Sequence, residues 1–202
     1  MRKILSILFF ITLLMVPCHA QNAQQARNVL DKMSKIIGRR GGASASFTMS
    51  NGAGKASGTV FVKGNKFHAR TSEAIVWYNG KTQWTYMKKN EEVNISNPTQ
   101  AQQQAMNPYT FINIYKSGYN LSMKAKGSDN EIHLVAQNKK RSIQELYIIA
   151  DKKTCIPSAI RMKHGQKWTT ITISNFSAKN LSDAVFTFNP KDYPSAEVID
   201  LR

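Results

Sequence analysis

From Ala43 onward the chain alternates apolar with polar residues, and this two-residue period restricts its fold more than any other feature. In the first run Ala45, Phe47 and Met49 alternate with serine and threonine, as expected for a strand with one buried face. Asn79-Gly80 separates two later runs, and both residues accept the positive φ angles of a tight hairpin turn. Strands joined this closely predict an antiparallel meander.

About twelve strands are expected, so the chain is mainly β with some α structure (α+β). After the first run from Ala43, the strand-like segments are 56–63, 66–71, 74–78, 82–88, 91–96, 119–125, 130–137, 143–150, 156–164, 167–176 and 185–188. Apolar residues at helical spacing predict an amphipathic helix over 22–37, ended by Gly38. Asn97-Pro98 and Asn107-Pro108 each have the form of a helix start, so a broken helical insert is expected before Gly118.

The first twenty residues have the pattern of a secretory signal peptide. Arg2 and Lys3 precede an apolar run from Ile4 to Val16, and a small residue, Ala20, precedes a polar stretch. Cleavage after Ala20 leaves residues 21–202 as a single exported domain. A retained anchor helix and lipidation of Cys18 are the alternatives. Pro17 disfavours the second of these, because a lipidated cysteine normally follows a small residue.

The chain carries a formal net charge of +16, which usually suggests nucleic acid as a partner. Predicted export argues against a nucleic acid, and the basic residues are dispersed near expected turns. Two interpretations of the charge remain. The basic residues either keep the turns solvated or attract an anionic membrane surface or an acidic partner.

No enzymatic motif is present, and neither a metal nor another cofactor is expected. The four histidines are scattered, with no HExxH pair, and neither GxSxG nor a strand-linked GxGxxG occurs. Asn51-Gly52-Ala53-Gly54-Lys55 lacks the spacing of a phosphate loop and is interpreted as a hairpin turn. The carboxylates do not form a pair that could act as acid and base, so we expect a protein that is not an enzyme.

Apolar and aromatic residues along the strands suggest a ligand cavity. Eight strands already enclose room for a small ligand, and the cavity widens with strand number. The residues expected to line the cavity are Phe47, Met49, Phe61, Phe67, Trp77, Trp84, Tyr86 and Ile95. The helical insert is expected to close the cavity as a lid through Met106, Phe111, Ile112 and Tyr115. The alternative is that these side chains fill an ordinary core.

The order of motifs resembles the LolA family of periplasmic outer-membrane lipoprotein carriers over roughly residues 23–202. The segments that carry this resemblance are "ASFTMS" (45–50), "GTVFVKGNKF" (58–67), "IVWYNGKTQWTYMKKNEEV" (75–93), the insert at 107–116, "IPSAIRM" (156–162) and "FTFNPKDYPSAEVIDLR" (186–202). The block at 75–93 is the most specific, although Asn79 replaces the usual aspartate there. The resemblance implies an incomplete antiparallel β-barrel whose concave apolar face is covered by helices.

The resemblance also implies a role. A member of this family is a monomeric chaperone of the Gram-negative periplasm that receives acylated lipoproteins from an inner-membrane lipoprotein-releasing transporter. It delivers them towards an outer-membrane acceptor. Gly64 stands where family members carry an arginine that helps to hold the lid closed, and Arg70 is a possible substitute. Two alternatives remain open: a lipid- or lipoprotein-binding sensor or scaffold without a transport role, and an exported hydrolase with a reactive serine or cysteine, for which Cys155 is the only thiol expected after cleavage.

Overall fold

The computed structural model describes residues 18–99, 102 and 113–202, and the side chains from residue 21 onward within these ranges. One helix, α1 (Cys18–Ile37), precedes a twelve-stranded sheet. The strands are β1 (Ala43–Asn51), β2 (Gly54–Lys63), β3 (Lys66–Thr71), β4 (Ala74–Tyr78), β5 (Gln83–Met87), β6 (Glu92–Ser96), β7 (Tyr119–Lys126), β8 (Asp129–Ala136), β9 (Glu145–Asp151), β10 (Pro157–His164), β11 (Lys167–Ala178) and β12 (Glu197–Asp200).

The strands form one open sheet in the order β12-β6-β5-β4-β3-β2-β1-β11-β10-β9-β8-β7. Neighbouring strands are antiparallel except β12 and β6, which are parallel. Two meanders, β1–β6 and β7–β11, therefore meet where β1 pairs with β11. The mainly β, half-open barrel expected from the sequence is confirmed.

The prediction of a strand at 185–188 is wrong. Asp183–Phe186 is a short 3-10 helix, which Ser182 caps by accepting a hydrogen bond from the Ala184 amide. Phe186 and Phe188 alternate with polar residues, as in a strand with one buried face, and both are buried. Neither residue belongs to a strand of the sheet. The last strand is β12, which extends along β6 after a second 3-10 turn.

Helix α1 packs its apolar side on the inner face of the sheet. Ala26, Leu30 and Met33 are almost fully buried there, and Gly38 donates its amide to the Ser34 carbonyl at the C-terminal end. The helix starts earlier than the predicted 22–37, at Cys18. Residues 1–17 of the predicted signal peptide lie outside the described residues. None of the helices that the structure describes is long and apolar enough to span a membrane.

Most of the predicted lid, including Met106, Phe111 and Ile112, lies outside the described residues. Its last turn is a 3-10 helix, Ile114–Lys116, and the Tyr115 ring is buried. The Tyr115 hydroxyl donates to a carboxylate oxygen of Asp31 at 2.6 Å. Burial and this carboxylate together raise the pKa of Tyr115 to about 12. The end of the insert is therefore fixed to α1.

Candidate functional site

An apolar cavity of about 340 Å³ lies on the inner face, beneath the C-terminal end of α1 and across the junction of β1 with β11. Fifteen apolar residues and two serines line it: Met33, Ile37, Ala43, Ser44, Ala45, Ser46, Phe47, Met49, Val60, Val62, Ala69, Ile148, Pro157, Ile160, Ile171, Ile173 and Phe176. No ionisable side chain is among them. The described lining can therefore hold an apolar ligand.

Strand register brings the apolar side chains together. Phe47 pairs with Ile173 and Met49 with Ile171, and paired residues share a face of the sheet. Ile160 pairs with both Ile171 and Ile148, which extends the apolar row across β9, β10 and β11. Several of these side chains remain only half-buried. The cavity thus presents apolar side chains that are only half-buried within the part of the chain that the structure describes.

A β-bulge shapes one end of the cavity. The pairing of β1 with β11 shifts between Ser44 and Ser46, and Asn175 adopts a left-handed φ of 52° opposite them. The Asn175 amide donates to the Ser46 hydroxyl at 3.2 Å. An extra residue on one strand redirects the side chains that follow it, and Phe176 lines the cavity at this point.

The structure brings only some of the predicted ligand-binding residues to the cavity. Phe47 and Met49 line it. Phe67 lies on the same face but is buried against Tyr78, with ring centroids 5.4 Å apart. Tyr115 is buried beside α1. The ligand-binding role of Phe67 and Tyr115 stays a prediction.

The remaining described candidates lie on the opposite, outer face: Phe61, Trp77, Trp84, Tyr86 and Ile95. All but Phe61 belong to a second apolar cluster that the C-terminal segment covers. Phe188 and Tyr193 pack on Trp77 at 5.4 and 5.5 Å between ring centroids. A ligand in the inner cavity would not touch these residues, so their role in ligand binding stays a prediction and their burial favours a structural role.

His68 joins the outer face to the C-terminal segment. Its Nδ1 lies 2.6 Å from the Val185 carbonyl oxygen, and its Nε2 accepts from Arg70 Nε at 3.0 Å. The ring lies between Phe61 and Trp77. Burial lowers the pKa of His68; the Val185 hydrogen bond opposes this, and the Arg70 charge adds to it. Arg70, the possible substitute for the lid arginine, contacts His68 on the outer face and therefore points away from the cavity. Gly64, at the position of that arginine, occupies the β2–β3 turn with a φ of 58°.

We expect the folded protein to lose stability below about pH 6.5 through His68. Because its pKa is lower in the folded state than the ordinary 6.5, the unfolded state binds the proton more readily as the pH falls. Urea unfolding at about pH 7.5 and about pH 5.5 measures the loss. His68→Gln should flatten this dependence, whereas substitution of His164, the exposed last residue of β10, by glutamine should leave it unchanged. Equal pH dependence in all three proteins would contradict the assignment.

Comparison with known proteins gives one family and several similar structures. The chain matches the family described as outer membrane lipoprotein carrier protein LolA over residues 16–166. A comparison with curated proteins gives no match. The chain is similar to a solved, uncharacterized conserved protein from Thermus thermophilus, with 14% identity, a TM-score of 0.59, and coverage of 87% of this chain and 99% of that chain. This likeness supports the fold.

Two further solved structures are similar at lower scores. A LolA superfamily protein from Nitrosomonas europaea shares 11% identity, with a TM-score of 0.44 and coverage of 81% of this chain and 97% of that chain. A putative outer membrane lipoprotein-sorting protein domain from Vibrio parahaemolyticus shares 10% identity, with a TM-score of 0.43 and coverage of 80% of this chain and 97% of that chain.

Proposed function

This chain belongs to the LolA family of outer membrane lipoprotein carrier proteins, and from that premise we propose that its inner cavity binds the acyl chains of lipoproteins. The observation that carries the proposal is the cavity itself, since none of its described lining residues has an ionisable side chain and several of its apolar residues are only half-buried. Its volume of about 340 Å³ lies in the range of small-ligand sites.

Acyl chains suit this cavity on energetic grounds. Each methylene group moved from water into an apolar site contributes about 0.8 kcal/mol, and this contribution needs no polar partner. Phe47, Met49 and the isoleucine row offer adaptable apolar contacts, with a flexible methionine among them. Such a cavity accepts chains of different length, as a carrier of many lipoproteins requires.

The proposed role is transport through the periplasm rather than catalysis. The protein takes lipoproteins released by an inner-membrane transporter and delivers them to an outer-membrane acceptor, acting as a monomer over residues 21–202. The family match and the predicted signal peptide support this route. Within the described ranges no group of three metal-ligating side chains is present, and no ionisable group faces the cavity to assist a reaction.

Mass spectrometry of the protein purified from the periplasm without detergent tests the proposal. Co-purified triacylated or diacylated lipoproteins are the expected result. Recovery of phospholipid or glycolipid alone would indicate that the ligand is a free lipid and not a lipoprotein. If the protein is recovered empty, titration with a synthetic diacylated lipopeptide decides, and a failure to bind would overturn the proposal.

Depletion of the protein separates a carrier from a sensor or scaffold of the same fold. A carrier leaves lipoproteins in the inner membrane when it is depleted, because it is the component that moves their acyl chains across the aqueous periplasm. We therefore expect the inner-membrane share of lipoproteins to rise in fractionated envelopes. Unchanged sorting, together with lipopeptide binding in vitro, would instead assign the protein to the sensor class.

A further inference from the structure

A row of aromatic and basic side chains lies on the outer face of β8–β11, away from the cavity. This aromatic-basic patch consists of His133, Tyr147, Arg161, Lys163 and Trp168. Cross-strand pairing places His133, Tyr147 and Arg161 side by side, and Lys163 beside Trp168. The proposed transport role does not use the patch.

The rings and cations of the patch are held in fixed positions. His133 stacks on Tyr147 with centroids 4.2 Å apart and an interplanar angle of 2°. The Arg161 guanidinium carbon lies 5.7 Å from the Tyr147 ring centroid and 5.1 Å from that of Trp168. Lys163 Nζ lies 5.8 Å from the Trp168 centroid. The patch is thus a preformed array of rings and positive charges.

Two carboxylates face the patch: Glu131, which two lysines of β7 already pair with, acts electrostatically on Tyr147, and Glu145 lies within the patch. Glu145 accepts from the Tyr147 hydroxyl at 2.9 Å and lies 2.9 Å from His133 Nε2 and 4.0 Å from Lys163 Nζ. Burial acts to raise the pKa of Glu145, but its hydrogen bonds to Tyr147 and His133 and the nearby positive charges hold it below its ordinary value. Glu145 therefore stays ionised and offsets only part of the local positive charge.

The turns beside the patch add further positive charge. The β8–β9 connection, 137–144, contains Lys139, Lys140 and Arg141 and no acidic residue. The β10–β11 turn leads directly to Lys167. Glu145 is the first residue of β9, and it pairs with Lys163, the last residue but one of β10, so the turns lie at the same end of the sheet as the patch. This part of the outer face is strongly basic.

We propose that the aromatic-basic patch docks the protein on a lipid bilayer that carries anionic headgroups. Tyrosine and tryptophan are enriched at the interface between membrane and water, and each basic residue near an anionic surface adds attraction that salt screens. The rings of the patch are half-exposed, so their edges can reach the interface between membrane and water. The attraction brings the carrier to a membrane without using the cavity, so it does not depend on what the cavity holds.

Vesicle co-sedimentation tests the docking. The probes are vesicles of phosphatidylglycerol and phosphatidylethanolamine in equal parts, with pure phosphatidylcholine vesicles as the neutral comparison. Binding is expected to the anionic vesicles alone and should be lost at about 0.5 M NaCl. Arg161→Gln combined with Lys163→Gln should weaken binding roughly 30-fold, as two basic residues at an anionic surface predict.

Arg40→Gln combined with Lys81→Gln is the matched control. Both residues are exposed in turns at the other end of the sheet, and the double substitution changes the net charge equally. It should bind the anionic vesicles nearly as well as the parent. Equal weakening by both double variants would show attraction by net charge alone and would overturn the patch. Failure of the parent to bind anionic vesicles would overturn the docking itself.

Tryptophan fluorescence gives an independent measurement of orientation. Brominated anionic lipids should quench Trp168, because the other two tryptophans belong to the cluster beneath the C-terminal segment, where Trp77 is almost fully buried and Trp84 is half-buried. Trp168→Phe should therefore remove most of the quenching, and undiminished quenching would place the contact elsewhere. Phe47→Asn should bind vesicles like the parent, because it alters only the cavity. A failure of docking and a failure of cargo binding thus remain distinguishable.

Discussion

Phe47→Asn is expected to weaken the binding of a diacylated lipopeptide about 100-fold, because an amide replaces an aromatic ring against the acyl chain. Phe47 lines the cavity beside Ile173 and is only half-buried in the absence of a ligand. The free energy of unfolding should therefore fall by only about 1 kcal/mol. Displacement of a fluorescent fatty acid measures binding, and urea unfolding measures stability.

The neighbouring residue on the same strand provides the control. Thr48 points to the outer face, where its hydroxyl lies 3.0 Å from the Ser57 hydroxyl. Thr48→Asn introduces the same side chain one position along β1 without reaching the cavity. It should leave lipopeptide affinity unchanged. Equal loss of affinity in the two variants, or none in Phe47→Asn, would place the ligand elsewhere.

Gly58→Ala is expected to lower the free energy of unfolding by about 3 kcal/mol, at the upper end of what overpacking costs. A β-carbon at Gly58 would lie far inside van der Waals contact with the backbone carbonyl oxygen of Arg70 and 3.0 Å from Phe47 Cζ. The Arg70 oxygen belongs to β3 and can move only if the pairing of β2 with β3 is disturbed. Urea unfolding at neutral pH measures the change.

Gly52→Ala is the matched control for this substitution. Gly52 lies in the β1–β2 turn, where an added β-carbon meets nothing within 4 Å, and its φ is not among the positive ones. The same methyl group should therefore change stability by less than about 0.5 kcal/mol. If the two alanine variants unfold at the same urea concentration, the close approach of the Arg70 carbonyl oxygen to Gly58 does not lower the stability of Gly58→Ala.

Most of the sheet was predictable because its signals are local. Alternation and turn residues such as Asn79-Gly80 act over a few residues, and eleven of the predicted strands overlap observed ones. The twelfth does not match because Phe186 and Phe188 alternate like a strand, whereas Phe186 lies in a 3-10 helix that contacts β3 and β4, and Phe188 packs in the outer-face cluster of Trp77. No local pattern reveals that β12 pairs in parallel with β6.

The site is less predictable than the sheet, because aromatic residues lie on both faces and their residue type does not show which face each one takes. Asn51 pairs with Gly54 across a two-residue turn, which places Phe61 opposite Ser44 and therefore on the other face from Phe47. Counting back from that turn would have indicated Val60 and Val62 as cavity residues. The contribution of Ile171 and Ile173 was not accessible this way, since the pairing of β1 with β11 joins distant parts of the chain.

The junction of β1 with β11, called the seam below, also has a consequence for folding kinetics. Each meander consists of hairpins that close quickly, but the seam joins segments from opposite ends of the chain, and non-local pairings form slowly. Because the cavity lies across this seam, neither meander alone contains the binding site. We expect lipopeptide binding to appear only in the last kinetic phase of refolding, after most strand signal has been regained. A newly exported chain would thus be unable to take cargo until it is almost fully folded.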